Sequence, residues 1–252
     1  MENNNFKIIV PLYNVEKWIK NCIRSVKAQT YKNFQCYLVD DLSTDGTKEK
    51  ILEEIKGDKR FFLISNTQKK YALKNIHDTL QDVKPDKNDI VVILDGDDWL
   101  SSAVVLEKLD NIYNIQKCWM TYGSYIEYPA VKKKKGKFAK KIPHNIIKEA
   151  SYRDSTWMAS HLRTFRYGLW KKIDKKDFIF SKTKKFVKAA WDFAFVFPLL
   201  EMCGARAVYV SDILYVYNRS NPLNEDKINH DLQLSEAHEV RNKKKYKLLE
   251  NL

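Results

Sequence analysis

Short apolar runs alternate with amphipathic stretches along the first hundred residues of the chain. The apolar runs are rich in β-branched residues and are bounded by polar turns, which is typical of buried strands. Four strands are predicted, over Lys7–Pro11, Phe34–Val39, Phe61–Ile64 and Ile90–Leu94. Between them, apolar residues recur at helical spacing, which predicts helices over Glu16–Gln29, Lys48–Lys56 and Tyr71–Asp82. Because strands alternate with helices, we expect right-handed βαβ units and therefore an α/β fold with a mainly parallel, twisted sheet flanked by helices.

The pattern is less regular in the second half of the chain. Its predicted elements are one or two strands over Cys118–Tyr128, an apolar helix over Ala189–Met202 interrupted at Pro198, two short strands over Ala207–Val210 and Ile213–Tyr217, and a charged helical tail from about Asp226. The sequence contains neither an internal repeat nor a Gly/Ser linker, which favours one domain over residues 1–252.

Charge is distributed unevenly along a chain of otherwise ordinary globular composition. Apolar residues make up 44% of its 252 residues, which is enough for a substantial core. The first 130 residues carry 18 basic and 19 acidic side chains, whereas the remainder carries 27 and 13, with seven lysines between positions 132 and 141. A basic second half suits an anionic or membrane-surface acceptor, or a nucleic acid. No nucleic-acid motif accompanies the lysines, so we expect a solvated loop over Val131–Lys141 and no nucleic-acid partner.

Cysteine usage and the N-terminal pattern bear on the compartment. The four cysteines are scattered without a C-x-x-C pair, so neither a zinc site nor a disulfide framework is expected. The first residues lack a basic segment followed by a long apolar one, and no apolar run approaches the roughly 20 residues of a membrane span. These features predict a cytoplasmic protein, at most peripheral at a membrane surface.

Three carboxylates follow the most apolar of the predicted strands. Asp95, Asp97 and Asp98 lie directly after Ile90–Leu94, and ligands of parallel sheets bind at the carboxyl ends of strands. Three neighbouring carboxylates repel one another unless a cation neutralises them, which favours Mg²⁺ or Mn²⁺ held together with phosphate oxygens. The alternative is a solvated acidic turn that caps a helix beginning near Ser101. The motif also resembles that of haloacid-dehalogenase phosphatases, but it follows three strands here, whereas theirs ends the first strand.

Four motifs in order along residues 6–100 carry a resemblance to a known family. They are P-x-Y-N at Pro11–Asn14, S-V-x-x-Q-T-Y at Ser25–Tyr31, V-D-D-x-S-x-D-G-T at Val39–Thr47 and the aspartate motif of Ile93–Trp99. The chain thereby resembles the family 2 glycosyltransferases, which have the nucleotide-binding GT-A fold. Three later segments resemble the acceptor-side region of some members, namely Leu162–Trp170, Trp191–Gly204 and Leu214–Asn224.

The resemblance implies roles for the residues at the strand ends. Pro11 and Tyr13 would flank a nucleobase, with the Tyr13 ring stacked on uracil, and Asn14 and Asp95 belong to the same nucleotide-binding motifs. Asp41 would accept a hydrogen bond from N3–H of uracil, which implies a UDP-sugar donor. The cofactor would be Mn²⁺ or Mg²⁺. Its ligands are expected to be Asp98, as the direct ligand that holds the cation against both phosphates, and Asp97, which would share the metal or touch the ribose.

Basic residues are expected to complete the nucleotide site. Lys74 and Asn75 stand where the family often has A-R-N, so they are assigned to the base or the diphosphate, although lysine lacks the planar fork of arginine. Arg219 matches a position at which some members place a basic residue against the diphosphate. His161 and Arg163 are alternatives for that role.

Asp192 is the candidate general base. Inverting transfer requires a side chain that removes the proton of the acceptor hydroxyl while the anomeric carbon is attacked from the face opposite UDP. Asp192 lies among apolar neighbours, where a carboxylate tends to have a raised pKa, and the family usually has E-D at this place, whereas Trp191 replaces the Glu here. The alternative is a helix N-cap at Asp192, with Glu201 or Asp212 as the base.

These expectations combine into one domain with three parts. Residues 1–100 would bind the nucleotide-sugar, residues 101–225 would bind a glycan or other hydroxyl acceptor and supply the base, and residues 226–252 would form a helical basic tail. The predicted activity is metal-assisted transfer of a sugar from a UDP-sugar to an acceptor hydroxyl with inversion.

Overall fold

The computed structural model describes residues 3–129 and 136–252. Its strands are β1 (Phe6–Leu12), β2 (Phe34–Asp40), β3 (Phe61–Ser65), β4 (Ile90–Ile93), β5 (Trp99–Leu100), β6 (Met120–Tyr128), β7 (Arg163–Arg166), β8 (Ile179–Phe180), β9 (Lys185–Phe186) and β10 (Ala207–Asn218). Its α-helices are α1 (Ile19–Lys27), α2 (Thr47–Ile55), α3 (Tyr71–Val83), α4 (Val105–Gln116), α5 (His144–Glu149), α6 (Tyr167–Trp170), α7 (Trp191–Cys203), α8 (Glu225–Ile228) and α9 (His230–Asn242).

Eight of these strands form one sheet in the order β3-β2-β1-β4-β7-β6-β10-β5. The first four are parallel, with β1 between β2 and β4. Each of these strands is joined to the next through a helix, as expected of βαβ units. The predicted α/β fold with a mainly parallel sheet flanked by helices is confirmed. The carboxyl ends of β1, β2 and β4 consequently meet at one edge.

Strand β7 places residues from the second half of the chain at this edge of the sheet. It runs antiparallel to β4, and its first residue, Arg163, pairs with Ile93 at the end of β4. β7 also pairs with β6, and β6 is parallel to β10. The residues around the start of β7 therefore lie beside the aspartate motif that follows β4.

Apolar side chains pack on both faces of the sheet. Along β1, Ile8 and Ile9 alternate, so that Ile8 packs with α1 and α4 and Ile9 packs with α3. The very apolar α7 lies on the same face as α3, together with Val240 of α9. The tail of the chain is thus packed into the core of the second half.

Several elements differ from their predicted bounds. α7 continues through Pro198, which lacks only its own N–H donor, and the helix is buried on most sides. The two strands expected over 207–217 are one strand, β10, with register shifts between Val210 and Tyr215. α4 begins at Val105 instead of near Ser101 because Trp99 and Leu100 pair with β10.

The lysine-rich segment is only partly within the described residues. Residues 131–135 of the loop predicted over Val131–Lys141 lie outside them. Ala139 is buried and forms an isolated bridge with Ala159, so that this part of the segment is packed against the domain. Among the described residues, no helix has the length and apolar character needed to cross a membrane.

Candidate functional site

A cavity of about 490 Å³ opens where the predicted strand ends meet. Its walls come from the ends of β1, β2 and β4, the start of β7, the segment that leads into α7, and the loop after β10. Among the residues that line it, those singled out in the sequence are Pro11, Tyr13, Asp41, Asn75, Asp95, Asp97, His161, Arg163 and Asp192. The fold thus brings the strand-end motifs of the first half together with Asp192 of the second.

Asp41 is the buried acceptor at the end of β2. Its Oδ1 accepts hydrogen bonds from the side-chain amide of Asn66 at 2.9 Å and from the backbone N–H of Lys70 at 2.8 Å. Its Oδ2 accepts one from the backbone N–H of Tyr71 at 2.8 Å. Because a carboxylate offers about four lone-pair positions, one on Oδ2 remains available to a ligand.

Two donors without hydrogen-bond partners stand near this carboxylate. Within the described residues, neither Nζ of Lys69 nor Nδ2 of Asn75 has one, although both atoms are buried. Lys69 Nζ lies 3.9 Å from Asp41 Oδ2 and against the face of the Tyr13 ring. Burial lowers the pKa of Lys69 to about 8. Asn75 Oδ1 accepts a hydrogen bond from Asn66 at 2.7 Å, which leaves its amide group as a donor. A buried donor without a hydrogen bond costs free energy. A ligand that supplies an acceptor atom removes that cost, so such donors favour ligand binding at the cavity.

Asp95 and Asp97 form the acidic wall of the cavity. Burial, followed by the charge of Asp97, raises the pKa of Asp95 to about 7, and burial also raises the pKa of Asp97. The side-chain amide of Asn221, in the loop after β10, donates to Asp97 at 2.7 Å. A Cβ on Gly96 would collide with Leu12, so only glycine between the two aspartates lets the turn pack this closely on β1.

Asp98 lies away from the cavity. It is fully buried, and it accepts hydrogen bonds from the Tyr215 hydroxyl at 2.5 Å and from the Asn218 backbone N–H at 2.7 Å. Both oxygens therefore tie the aspartate motif to β10. This geometry does not support the expectation that Asp98 is the direct metal ligand, because its side chain is engaged in the core.

The acidic wall fits a divalent cation that is held partly by protein carboxylates and partly by phosphate oxygens of a bound substrate. Within the part of the chain that the structure describes, no group of three or more His, Cys, Asp or Glu side chains is placed to hold a metal ion. Mg²⁺ characteristically uses one or two carboxylates and completes its shell with substrate phosphates and water. Asp97 and Asp95, which repel each other at the cavity, match that donor set.

Asp192 is the second residue of α7 and faces the cavity. Its Oδ2 accepts a hydrogen bond from Nη2 of Arg163 at 2.8 Å, and its Oδ1 accepts one from the Phe193 N–H at 3.0 Å. The expectation that apolar side chains surround this carboxylate is thus wrong, because the buried guanidinium of Arg163 pairs with it. The N-cap position of α7 belongs to Ala190, so Asp192 is not the N-cap.

The two alternative bases lie elsewhere. Glu201 is buried in an ion pair with Arg153, with an N–O distance of 2.5 Å, and also accepts from the Tyr246 N–H at 2.9 Å. Asp212 is exposed and pairs with Lys108. Neither lines the cavity.

Three other predicted site residues lie outside the cavity wall. The Asn14 side chain accepts from the Thr44 N–H at 2.8 Å and links the loops after β1 and β2. Lys74 pairs with Asp78 one helical turn away, at 2.9 Å, so its ammonium lies along α3. Arg219 donates to the hydroxyl of Tyr217, a residue of the cavity wall, at 3.3 Å. The structure therefore does not support direct nucleotide contacts from these side chains in this conformation.

Sequence reasoning missed or underrated several residues of the wall. Those missed are Lys69, Lys188, Tyr217, Asn221 and Glu225. His161 and Arg163, which were only alternatives for the diphosphate, do line the cavity. The His161 ring stacks on Tyr215 with centroids 4.6 Å apart, and burial, with the charge of Arg163, lowers its pKa well below the ordinary value. One sequence signal points to Lys69: the pair Lys69-Lys70 lies just before Lys74 and Asn75, the residues that match the A-R-N motif of the family.

The fold and the site define an α/β protein with an acidic motif at the carboxyl end of a parallel strand. The model of glycosyl transferase family 2 matches residues 7–178, more than half of the chain, and the chain belongs to that family. It is 33% identical over 108 residues to the UDP-Glc:alpha-D-GlcNAc-diphosphoundecaprenol beta-1,3-glucosyltransferase WfgD of Escherichia coli, an alignment of 42% of this chain and 41% of WfgD.

Solved structures share the fold. Residues 1–349 of Staphylococcus aureus TarS in complex with UDP-GlcNAc superimpose with a TM-score of 0.63 and 17% identity, over 88% of this chain and 60% of that one. The mannosyltransferase PcManGT from Pyrobaculum calidifontis, in complex with GDP-Man and Mn²⁺, gives 0.60 and 15%, over 98% and 67%. The match of this chain to its curated relatives spans less than half of their length.

Proposed function

We propose that this protein is a UDP-sugar-dependent, metal-assisted, inverting glycosyltransferase. The observation that carries the proposal is the set of polar groups around Asp41. Its Oδ2 keeps a lone pair for a ligand, and Lys69 Nζ and Asn75 Nδ2, two buried donors that make no hydrogen bond within the described residues, belong to residues that line the same cavity as the Tyr13 ring. A donor, an acceptor and a second donor complement one kind of nucleobase edge.

Uracil presents that edge. Its N3–H lies between two carbonyl oxygens, so N3–H would donate to Asp41 while the carbonyls accept from Lys69 and Asn75. Cytosine would turn a lone pair of N3 towards the carboxylate, and guanine would oppose one of the two donors with its own amino group. Each mismatch leaves a buried polar group unpaired, which costs about 1–3 kcal/mol. Stacking on Tyr13, half-exposed at the cavity mouth, requires that the Lys69 ammonium move off the ring face.

The diphosphate is assigned to the acidic wall through a divalent cation. Asp97, with Asp95 beside it, would hold Mn²⁺ or Mg²⁺, and the ion supplies charge neutralisation for the leaving UDP. Asn221 donates a 2.7 Å hydrogen bond to the Asp97 carboxylate and so orients it. PcManGT, of similar fold, is described in complex with a nucleotide-sugar and Mn²⁺, which supports this assignment.

Asp192 is the proposed base. Its carboxylate would accept the proton of the acceptor hydroxyl as that oxygen attacks the anomeric carbon, and the bond from that carbon to the UDP oxygen breaks on the opposite face. One displacement inverts the configuration, so an α-linked UDP-sugar gives a β-linked product. WfgD, whose name records a β-linkage formed from UDP-Glc, is consistent with this outcome.

The acceptor is proposed to be a glycan or another hydroxyl compound, with anionic or membrane-surface acceptors favoured by the excess of basic side chains in residues 131–252. We propose that the protein acts in the cytoplasm, with peripheral attachment at a membrane surface where such an acceptor lies.

Calorimetry with UDP, CDP, GDP and ADP, each with and without Mn²⁺, tests the proposal. UDP is expected to bind roughly 5–150-fold more tightly than the others, as one mismatched buried hydrogen bond of about 1–3 kcal/mol implies. Mn²⁺ is expected to strengthen the binding of UDP. Equal affinity for UDP and GDP would refute the assignment of the base site, and binding of UDP that is indifferent to Mn²⁺ would refute the metal assignment.

A further inference from the structure

The C-terminal helix α9 holds the segment that leads into α7. Glu236, in the middle of α9, is buried, and its carboxylate accepts hydrogen bonds from three consecutive backbone N–H groups. The distances are 2.9 and 3.1 Å to Lys188, 2.6 Å to Ala189 and 3.1 Å to Ala190. Gln233, one turn earlier on α9, donates to the Ala189 carbonyl at 3.3 Å. Three backbone N–H groups and one backbone carbonyl of residues 188–190 are thus hydrogen-bonded to side chains of α9.

This segment determines where α7 begins. Ala190 occupies the N-cap position and has no side chain that accepts a hydrogen bond, so the local sequence supplies no cap. The carboxylate of Glu236 instead accepts from the backbone N–H groups of Lys188, Ala189 and Ala190, so it fixes the backbone that leads into the helix and does not cap the first turn itself. Asp192 follows Ala190 by two residues, and therefore its position depends on how this segment is held.

The same segment also forms part of the cavity wall. Lys188, Ala189, Trp191 and Asp192 all line the cavity, as does Gln233, whereas Glu236 lies behind them. Asp192 reaches its partner Arg163 across the cavity edge at 2.8 Å. A small displacement of residues 188–190 would move the Asp192 carboxylate relative to the site of transfer, whereas Tyr13 and Asp41 follow β1 and β2 and, among the residues described, make no hydrogen bond with this segment.

We propose that Glu236 is a positioning residue for the catalytic base, and hence that the tail of the chain is part of the active site. The proposal rests on the proposed role of Asp192 as the base. Glu236 acts by fixing three backbone N–H groups, which places Asp192 in line with the acceptor hydroxyl. It contacts neither donor nor acceptor.

The variant Glu236→Gln tests this proposal, with Glu239→Gln as the matched control. Glutamine retains the size of the side chain but has one acceptor oxygen and turns an NH₂ group towards backbone donors. Glu239 lies one turn further along the same helix, is only partly buried, and accepts from the Ser181 N–H at 2.8 Å, away from the segment that leads into α7. We expect kcat of Glu236→Gln to fall by roughly 10–100-fold, the range that a misplacement of about 1 Å produces, with the affinity for UDP unchanged. The control is expected to transfer like the wild type.

A double-mutant cycle separates positioning from a structural role. In an Asp192→Asn background the base is already absent, so adding Glu236→Gln should lower the residual rate little or not at all. An equal fall in both backgrounds would overturn the proposal, because Glu236 would then act elsewhere. A folded Glu236→Gln variant with wild-type kcat would also overturn the positioning role of Glu236. If Asp192→Asn loses most of its activity in the same assay, the proposed function would still stand. Wild-type activity of Asp192→Asn would instead refute the base itself.

Glu236→Asp keeps the test available if the glutamine variant does not fold. Aspartate retains the charge but is one methylene shorter, so it cannot reach all three N–H groups from α9. We expect a smaller fall in kcat than for glutamine, again without loss of UDP affinity. A fall in UDP affinity that accompanies the fall in kcat would indicate general loosening of the domain and would overturn the positioning role.

Discussion

The buried guanidinium of Arg163 donates a 2.8 Å hydrogen bond to Oδ2 of Asp192 at the wall of the cavity. Arg163 is itself held by its Nε, which donates to the Ala159 carbonyl at 3.1 Å. The orientation of Asp192 therefore depends on a residue at the start of β7. The start of β7 and the start of α7 meet in this ion pair.

The substitution Arg163→Gln is expected to destabilise the protein. It removes the charged partner of Asp192 and the donor to Ala159, and a hydrogen bond to a charged group contributes about 1.5–3 kcal/mol. Urea unfolding followed by circular dichroism should report a loss of free energy of unfolding in that range. Lys20→Gln, which removes an exposed ion pair with Glu53, is the control and should change stability little. Equal stabilities of the two variants would show that the buried pair contributes nothing.

Asp192→Asn is expected to abolish most transfer while sparing the donor site. Because the amide cannot take up the acceptor proton, turnover should fall by about 10²–10⁴. The affinity for the UDP-sugar should be unchanged, since Asp192 is assigned to the acceptor. Asp212→Asn, at an exposed carboxylate paired with Lys108, serves as the control and should retain activity. A product with retained anomeric configuration would contradict the mechanism independently of either variant.

Asp97→Asn and Asp98→Asn should differ in metal binding, although the two residues are adjacent. Asp97 lines the cavity, whereas Asp98 accepts from Tyr215 and Asn218 in the core. We expect Asp97→Asn to lose the strengthening of UDP binding by Mn²⁺ and the folded Asp98→Asn protein to retain it. Calorimetry of both variants with Mn²⁺ and UDP decides between them. Loss of the Mn²⁺ effect in the Asp98 variant alone would restore the original assignment.

The sequence was a good guide wherever a motif is local. Pro11 ends a predicted parallel strand, and Tyr13, Asp41, Asp95 and Asp97 follow such strands. The carboxyl ends of these strands meet at one edge, so the convergence of the five residues at one cavity could be inferred. The overall α/β fold follows from the same alternation of strands and helices.

The remaining site residues depend on features that local patterns do not encode. Arg163 reaches the cavity because β7 inserts antiparallel beside β4, and nothing in its own segment predicts that pairing. Adjacent side chains diverge at the start of β5, so the spacing of the aspartates does not tell which of Asp97 and Asp98 faces a ligand. The buried contacts of Glu236 depend on α9 docking against residues distant in sequence.

Lysine placement shows the same limit. Lys74 matches the family motif, but α3 begins at Tyr71 and turns Lys74 towards Asp78, whereas Lys69 precedes the helix and lies in the cavity. The point at which the helix begins therefore decides which lysine lines the cavity. That point is fixed in part by the hydrogen bonds from the Lys70 and Tyr71 N–H groups to Asp41.

Lys69→Met is consequently expected to weaken UDP binding in a pH-dependent way, whereas Lys74→Met should leave it unchanged. Burial lowers the pKa of Lys69 to about 8, and a bound carbonyl or phosphate oxygen favours the protonated ammonium. The advantage of the wild type over Lys69→Met should therefore be complete well below pH 8 and should decline as the pH rises through that value. Calorimetry with UDP from about pH 7 to about pH 9 measures the ratio of the two affinities, and comparison with the variant cancels titration of the ligand itself. A ratio that is constant over this range would show that the ammonium charge has no part in binding UDP, and a loss of affinity in Lys74→Met alone would return the role to the residue of the motif.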